Sequence, residues 1–473
     1  MPTTKFPGLN ALQKEIEDKT VSKSLHFLLS RREILKPYSD LEDYAFSAPD
    51  PLTKELRGFE YHFNVVKNQT LRVLRTHDLF IGTSVIEELL FSAVRELSES
   101  LPVRAVLKTI QDNGIHKPGF VIYPLHSFGV AGVGILETLG KQRFDLILPY
   151  AGLAVRAQTN SLRRTIQFFA EAATQFGISR SIPTDSLEHY ERIPVLRWLT
   201  HNPLLVLRVR TFSAGYYENQ AFIVIKLKMA TSLIFMLSAL ESGLAHKTRA
   251  WTGTRSVNNF QTLDIKHYLV FEPRPRSAKA FESRRVPMNV SPTELAELTA
   301  VPVDITRGNW MRRKRFVRRI SSTLAKVEEG YLKAFLHPKD NSAICRTYRK
   351  LFSALAYFRR SFRLTSDVGE AYVNLAVAFE VLLTDTYAKG VDSRIQRRLR
   401  RALNGTKGSR ALNSAAAQLY RARSEIVHTG RTDLHVNLQG VRQAFIHAFA
   451  YIVDRVGTLS LTTKNPIETI LSK

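Results

Sequence analysis

The residues best suited to chemistry lie near the C-terminus, in the run Arg421-Ala422-Arg423-Ser424-Glu425-Ile426-Val427-His428-Thr429-Gly430. An imidazole that titrates near neutrality can take a proton from a ribose 2′-hydroxyl. A neighbouring guanidinium can hold the scissile phosphate and stabilise the pentacovalent transition state. RNA cleavage of this kind needs no metal. The Arg-x4-His spacing of Arg423 and His428 is a weak signal by itself: 44 arginines and 13 histidines in 473 residues give about one match by chance. The chain has four, the others being Arg57/His62, Arg72/His77 and Arg442/His447. Five residues of helix turn about 140°, so the two side chains of such a pair point to different faces. Arg442/His447, within a regular helical pattern, therefore reads as structural. Arg423 and His428 can meet only if the helix distorts near Gly430, a residue suited to a C-cap, or if a second subunit completes the site. Arg421 and His428, seven apart, share a face.

Other chemistries lack their residues. There is no His-Glu-x-x-His, Walker-type loop, Gly-x-Ser-x-Gly elbow or EF-hand loop. Gly129, Gly132 and Gly134 have the reverse of the dinucleotide-loop spacing. Asp264 and Lys266 form an Asp-x-Lys pair of the sort metal-dependent nucleases use, but without an upstream carboxylate they read as a solvated strand face. A single cysteine, Cys345, excludes disulfide frameworks and Cys-based metal sites and suits a reducing cytoplasm. No metal and no cofactor is expected. Arg394, Arg397, Arg398, Arg400 and Arg401 form the densest basic helix, read as an RNA-backbone contact against the alternative of a solvated face.

The elements that carry these residues follow from composition and period. The length predicts two or three domains. Residues 301–473 hold 31 basic and 13 acidic side chains, against 37 and 29 in residues 1–300, so most of the net charge of +26 sits in the last third. That is the footprint of a polyanion binder; a solvated basic surface and anionic lipid are the weaker readings. Pro118 to Leu136, free of charged residues, is interrupted by prolines and glycines, and Met229 to Leu240 is too short to span a bilayer. No membrane association is expected. Helices are predicted at Ser84–Glu99, capped by Ser84 and Glu87, at Ser161–Phe176, and at Leu187–Leu199 with a break at Pro194. Strands are predicted at Arg143–Val155, Leu204–Phe212, Gln220–Met229 and Leu263–Phe271. Prolines and then the run Arg312, Arg313, Lys314, Arg315, Arg318 and Arg319 mark a linker leading into a basic helix. Beyond it Leu351, Leu355 and Phe358 mark one helix. Asp367–Leu383 carries a stripe of Val368, Ala371, Tyr372, Leu375, Phe379 and Leu382. Ser393–Leu403 and Ala411–Val427 follow, and Leu438, Val441, Phe445, Ala448 and Ile452 give a final apolar seam, for a bundle of about five helices.

Leu419-Tyr420-x-x-Arg423-Ser424-x-Ile426-Val427-His428-x-Gly430, with Ala378-Phe379-Glu380-Val381-Leu382-Leu383 upstream, resembles the ApeA-like branch of the HEPN domain family over residues 320–460. The resemblance implies a commonly dimeric helical bundle and a metal-independent endoribonuclease, with Arg423 binding phosphate and His428 as acid/base. It also implies Ser424 as the polar residue after the arginine and Glu380 as a supporting carboxylate, while Arg421 stays as the geometric rival of Arg423. Such a carboxylate as Glu380 is more often a helix-face charge paired with an arginine, and Ser424 also reads as a small packing residue. The resemblance further implies a homodimer that binds RNA in the cytoplasm and serves prokaryotic anti-phage defence, toxin systems or abortive infection. A phage-derived or partner-protein trigger would act at the N-terminal region. A non-catalytic adaptor that binds RNA or a protein is the competing reading, and a DNA-binding or metal-dependent nuclease in the first 300 residues is the weaker third. The expected fold class is α+β multidomain: a mixed α/β domain over residues 1–272, a linker over 273–320, an all-α HEPN-like bundle over 321–460 and a tail over 461–473.

Overall fold

The computed structural model describes residues 6–96, 101–124, 145–156, 159–193, 197–202, 204–209, 220–240, 267–274, 277–287, 314–362, 368–386, 391–431 and 434–472. The glycines at 129, 132 and 134, the Asp264/Lys266 pair, and Arg312 and Arg313 lie outside them. Among the described residues the chain is mostly helical with one six-stranded antiparallel sheet.

The first unit is all helix: α1 (Leu9–Ile16), α2 (Lys19–Ser30), α3 (Leu41–Ser47), α4 (Lys54–Thr76), α5 (Thr83–Glu96) and α6 (Pro102–Asp112). Leu28, Val66, Leu74, Leu90, Val94 and Leu107 belong to a core of its own. Ser84 falls inside α5 rather than capping it, and Glu87 instead pairs with Lys67 at 2.7 Å.

The sheet comprises β1 (Gly119–Pro124), β2 (Leu146–Leu148), β3 (Leu153–Arg156), β4 (Leu204–Val209), β5 (His267–Arg274) and β6 (Ser277–Pro287), in the order β2-β3-β4-β1-β5-β6. Alternation sends Phe120, Ile122, Val206 and Phe271 to one face, against Phe168 and Phe169 of α7 (Leu162–Gln175) and against Tyr190 of α8 (Thr184–Arg192) and Trp198 of α9 (Trp198–His201). Val121, Tyr123, Leu205, Leu207 and Val270 go to the other face. Both faces of β1 and β4 are therefore buried, which is why they read as continuous apolar runs.

The second face packs on α10 (Gln220–Leu240). The strand expected over Gln220–Met229 is the first half of this helix. Its alternation of Ile223, Ile225, Leu227 and Met229 is real in sequence, but the apolar run continues for 21 residues, beyond strand length. Nearly every turn is buried, between the sheet on one side and the bundle on the other, so the helical period is erased. The strand expected over Arg143–Val155 is likewise the hairpin β2-β3, turned by Pro149–Ala151.

The bundle contains α11 (Lys314–Leu336), α12 (Ala343–Arg360), α13 (Val368–Leu383), α14 (Val391–Ala402), α15 (Ser409–Thr429), α16 (Leu438–Val453) and α17 (Pro466–Ser472). Its core, through Phe358, Phe379, Phe445 and Phe449, is continuous with the α10 face of the sheet. Lys226 of α10 lies buried 2.9 Å from Glu328 of α11, and Arg359 of α12 donates to Ser232 at 2.9 Å.

Three expected boundaries shift accordingly. Residues 1–272 comprise two units, one helical and one sheet-based. The linker begins inside the β5-β6 pair, because prolines tolerated at strand ends looked like linker composition. Residues 461–473 are not a tail: Ile467, Ile470 and Leu471 are buried at helical spacing, and Asp385 accepts from the backbone N–H groups of Ile467 and Glu468 at 2.9 and 3.0 Å.

Candidate active site

Helix α15 presents the candidate residues and α13 braces them. Leu412, Ala415, Ala416, Leu419, Tyr420 and Ala422 bury one face of α15. The Tyr420 hydroxyl donates to the Ala376 carbonyl of α13 at 3.2 Å, which fixes the rotation of one helix against the other. Burial, and then the charge of Glu380, push the Tyr420 phenol far above its ordinary pKa, so it stays a neutral donor. Tyr420 stands within the motif, but nothing in the sequence gives its hydroxyl a role, because the carbonyl it meets lies 44 residues away in sequence.

Arg423, one turn on, stands half-buried with its guanidinium 3.9 Å from Glu380. Burial raises the Glu380 carboxyl above its ordinary value, and Arg423 only partly opposes that rise. The Arg423 Nε is buried with no hydrogen-bond partner among the described residues. The pairing of Glu380 with an arginine is therefore present, but the arginine looks into the bundle.

His428 is exposed, in the last turn of α15. The helix is regular to its end: the Gly430 N–H donates to the Ile426 carbonyl at 3.0 Å, and Gly430 takes φ +69°, a left-handed cap that favours glycine. With no distortion before Gly430, Arg423 and His428 stay on different faces of a single chain. Arg421 and Ser424 are exposed with His428, and these three share a face. Val427, beside them, is 52% exposed. Glu425 is held at the edge of this face by Arg431 at 3.8 Å.

The histidines of the other Arg-x4-His pairs are engaged elsewhere. His62 bonds Ser24 at 3.1 Å and His77 bonds Glu15 at 2.7 Å. Arg442 lies 3.7 Å over the Phe362 ring, while His447, its pKa lowered by burial and by Arg319, packs on Phe316.

The basic helix α14 divides. Arg398 is buried, donates to the Leu383 carbonyl at 2.7 Å and lies 3.8 Å from Asp385, so its expected role on RNA is corrected to a structural one. Arg401 donates to the Leu471 carbonyl at 3.0 Å and secures α17. Arg397 and Arg400 face solvent, and Arg394 is half-buried. Arginine runs carry no mark of which side chain turns inward; the buried Asp385 that draws Arg398 in is thirteen residues away in sequence.

Among the described residues no group of three or more His, Cys, Asp or Glu side chains converges, and no helix is long and apolar enough to cross a membrane. No family model, curated protein or solved structure matches the chain.

Proposed function

We propose that the chain is a metal-independent endoribonuclease of the HEPN type, acting as two copies whose α15 helices lie antiparallel across their exposed faces. The observation that carries this reading is that Arg421, Ser424 and His428 stand together on an exposed, rigidly braced helix end. In an antiparallel pair centred near Ser424 and Glu425, Arg421 of one copy comes opposite His428 of the other, and the small Ser424 lets the helices approach. His428 takes the 2′-hydroxyl proton, and the 2′-oxygen attacks phosphorus. Arg421 holds the phosphate oxygens, and the 5′-oxygen leaves and takes a proton from water. The products are a 2′,3′-cyclic phosphate and a 5′-hydroxyl. By the same resemblance the enzyme works in the cytoplasm in anti-phage defence or abortive infection, with its trigger sensed by the N-terminal units.

Complementation tests the shared site. Full-length Arg421→Ala and His428→Ala should each fail to cleave RNA. Mixed and re-equilibrated, they should recover about a quarter of wild-type activity, because half the dimers are mixed and each mixed dimer keeps one intact site of two. No recovery would place both groups in one chain and defeat the antiparallel arrangement. One observation favours the adaptor instead: Arg423, the arginine of the family motif, faces Glu380 rather than His428. Salt-sensitive RNA binding with no products from any form would support that second reading.

A further inference from the structure

The basic run that precedes the bundle has no part in the α15 site. Its described portion forms the first turns of α11, where Arg315, Arg318, Arg319 and Ser322 fall at i, i+3, i+4 and i+7 on one exposed face. This face is one wall of a cleft of about 510 Å3, and the other wall is Tyr150, from the turn between β2 and β3. The cleft thus sits on the seam between sheet and bundle.

Arg318 lies over the Tyr150 ring, its guanidinium carbon 4.2 Å from the centroid, and donates to the Tyr150 hydroxyl. Tyr150 is still 50% exposed. Arg315 has no hydrogen bond or ion pair among the described residues. Arg319 shares one carboxylate, Asp454, with Lys326, each at 3.3 Å. Three guanidiniums therefore line one concave surface with no acid among the lining residues. Such a grouping makes a positive surface that attracts an anion, and guanidinium forks match phosphate oxygens. A guanidinium already stacked on a phenol ring offers a planar platform for a base.

We propose that this cleft binds a nucleotide, with the phosphate on Arg315 and Arg319 and the base stacked on the Arg318–Tyr150 pair. Its volume falls within the about 300–1,000 Å3 typical of small-ligand sites and suits one nucleotide. The same chemistry serves a free nucleotide or one nucleotide of an RNA strand. The site uses none of the residues of α15, so it stands or falls separately from the nuclease reading.

The test is equilibrium binding to the full-length His428→Ala protein, in which cleavage plays no part, with ATP and with a short labelled oligouridylate as probes. At least one probe should bind. Arg315→Ala/Arg318→Ala should weaken it about tenfold or more, and Tyr150→Ala about fivefold or more. Arg318→Lys, which keeps the charge and loses the plane, should fall with Tyr150→Ala. Arg163→Ala/Arg164→Ala, which removes two exposed charges from α7, should bind as the parent does. All these side chains are exposed, and an unchanged circular dichroism melt confirms the fold. ATP binding with these losses assigns a free nucleotide, and oligouridylate binding alone assigns an RNA strand. Binding of neither probe, equal binding by the cleft variants, or an equal loss in the α7 variant would overturn the proposal.

Discussion

Glu380 is the clearest case of two residue-scale effects in opposition. Burial lifts its carboxyl above 4.5 and Arg423, at 3.9 Å, does not cancel the lift. A carboxyl with a raised folded pKa stabilises the fold below its unfolded value and loses that contribution as pH rises through the folded value. Wild type should therefore lose thermal stability relative to Glu380→Gln from pH 4.5 upward, seen as a widening gap in Tm. A gap that narrows would mean that Arg423 dominates. The two arginines should separate in the opposite sense. Arg421→Ala should lower cleavage by about a hundredfold or more with an unchanged Tm, since it removes an exposed phosphate donor. Arg423→Ala should lower Tm by leaving Glu380 half-buried without its counter-charge, and should keep most of the cleavage. Equal Tm values with cleavage lost in Arg423→Ala alone would return the phosphate role to Arg423. The sequence made the competition between Arg421 and Arg423 legible through the seven-residue and five-residue spacings. Which of the two arginines turns toward Glu380 depended on the packing of α15 against α13, which no local pattern reports.

At the scale of elements, α10 and α11 are joined by a buried ion pair and α11 and α12 by a missing side chain. Lys226 and Glu328 are 7% and 8% exposed, and Lys226 also donates to the Ala151 carbonyl at 3.1 Å. Glu328→Ala should cost about 3–5 kcal/mol, because it strands a buried ammonium, whereas Lys226→Met/Glu328→Leu should restore most of that loss. Urea denaturation of both forms decides the point; a double variant no better than the single one would contradict it. A Cβ at Gly330 would come within 2.3 Å of the Tyr348 ring. Gly330→Ala should accordingly cost about 1–3 kcal/mol as α11 and α12 are forced apart, while Gly457→Ala, with open space around it, should not. Amphipathic helices such as α12 and α15 were legible because one face keeps contact with solvent and the helical period survives; α16 has no fully exposed residue, and its seam was legible because Arg442, Gln443 and His447 break the apolar run at helical spacing. Helix α10 was not, because solvent touches so little of it that burial has removed the period. Helix α17 was missed for its brevity, although Ile467, Ile470 and Leu471 already mark one face.

For the whole molecule, the consequence of α10 is that the bundle does not stand alone. Phe235 of α10 packs 4.7 Å from Phe362, and Gln443 of α16 donates to the Ala239 carbonyl at 3.1 Å, so a segment from the sheet unit completes the bundle core. A fragment comprising residues 321–473 also cuts α11 within its second turn. It should lack a cooperative melt. A fragment that melted cooperatively with native helicity would refute this view of the core. Composition correctly put the excess charge in the last third, but part of the cationic inventory is internal: Arg156, Arg180, Arg208, Lys226, Arg359 and Arg398 are all buried. Net charge therefore overstates the surface available to a polyanion.

The most direct measurement on the intact molecule is incubation of purified wild type and His428→Ala with total RNA in excess EDTA, followed by identification of the product ends. Metal-independent cleavage through His428 should give 2′,3′-cyclic phosphate and 5′-hydroxyl ends with wild type and leave RNA intact with His428→Ala. Intact RNA with both proteins, or equal cleavage by both, would contradict it.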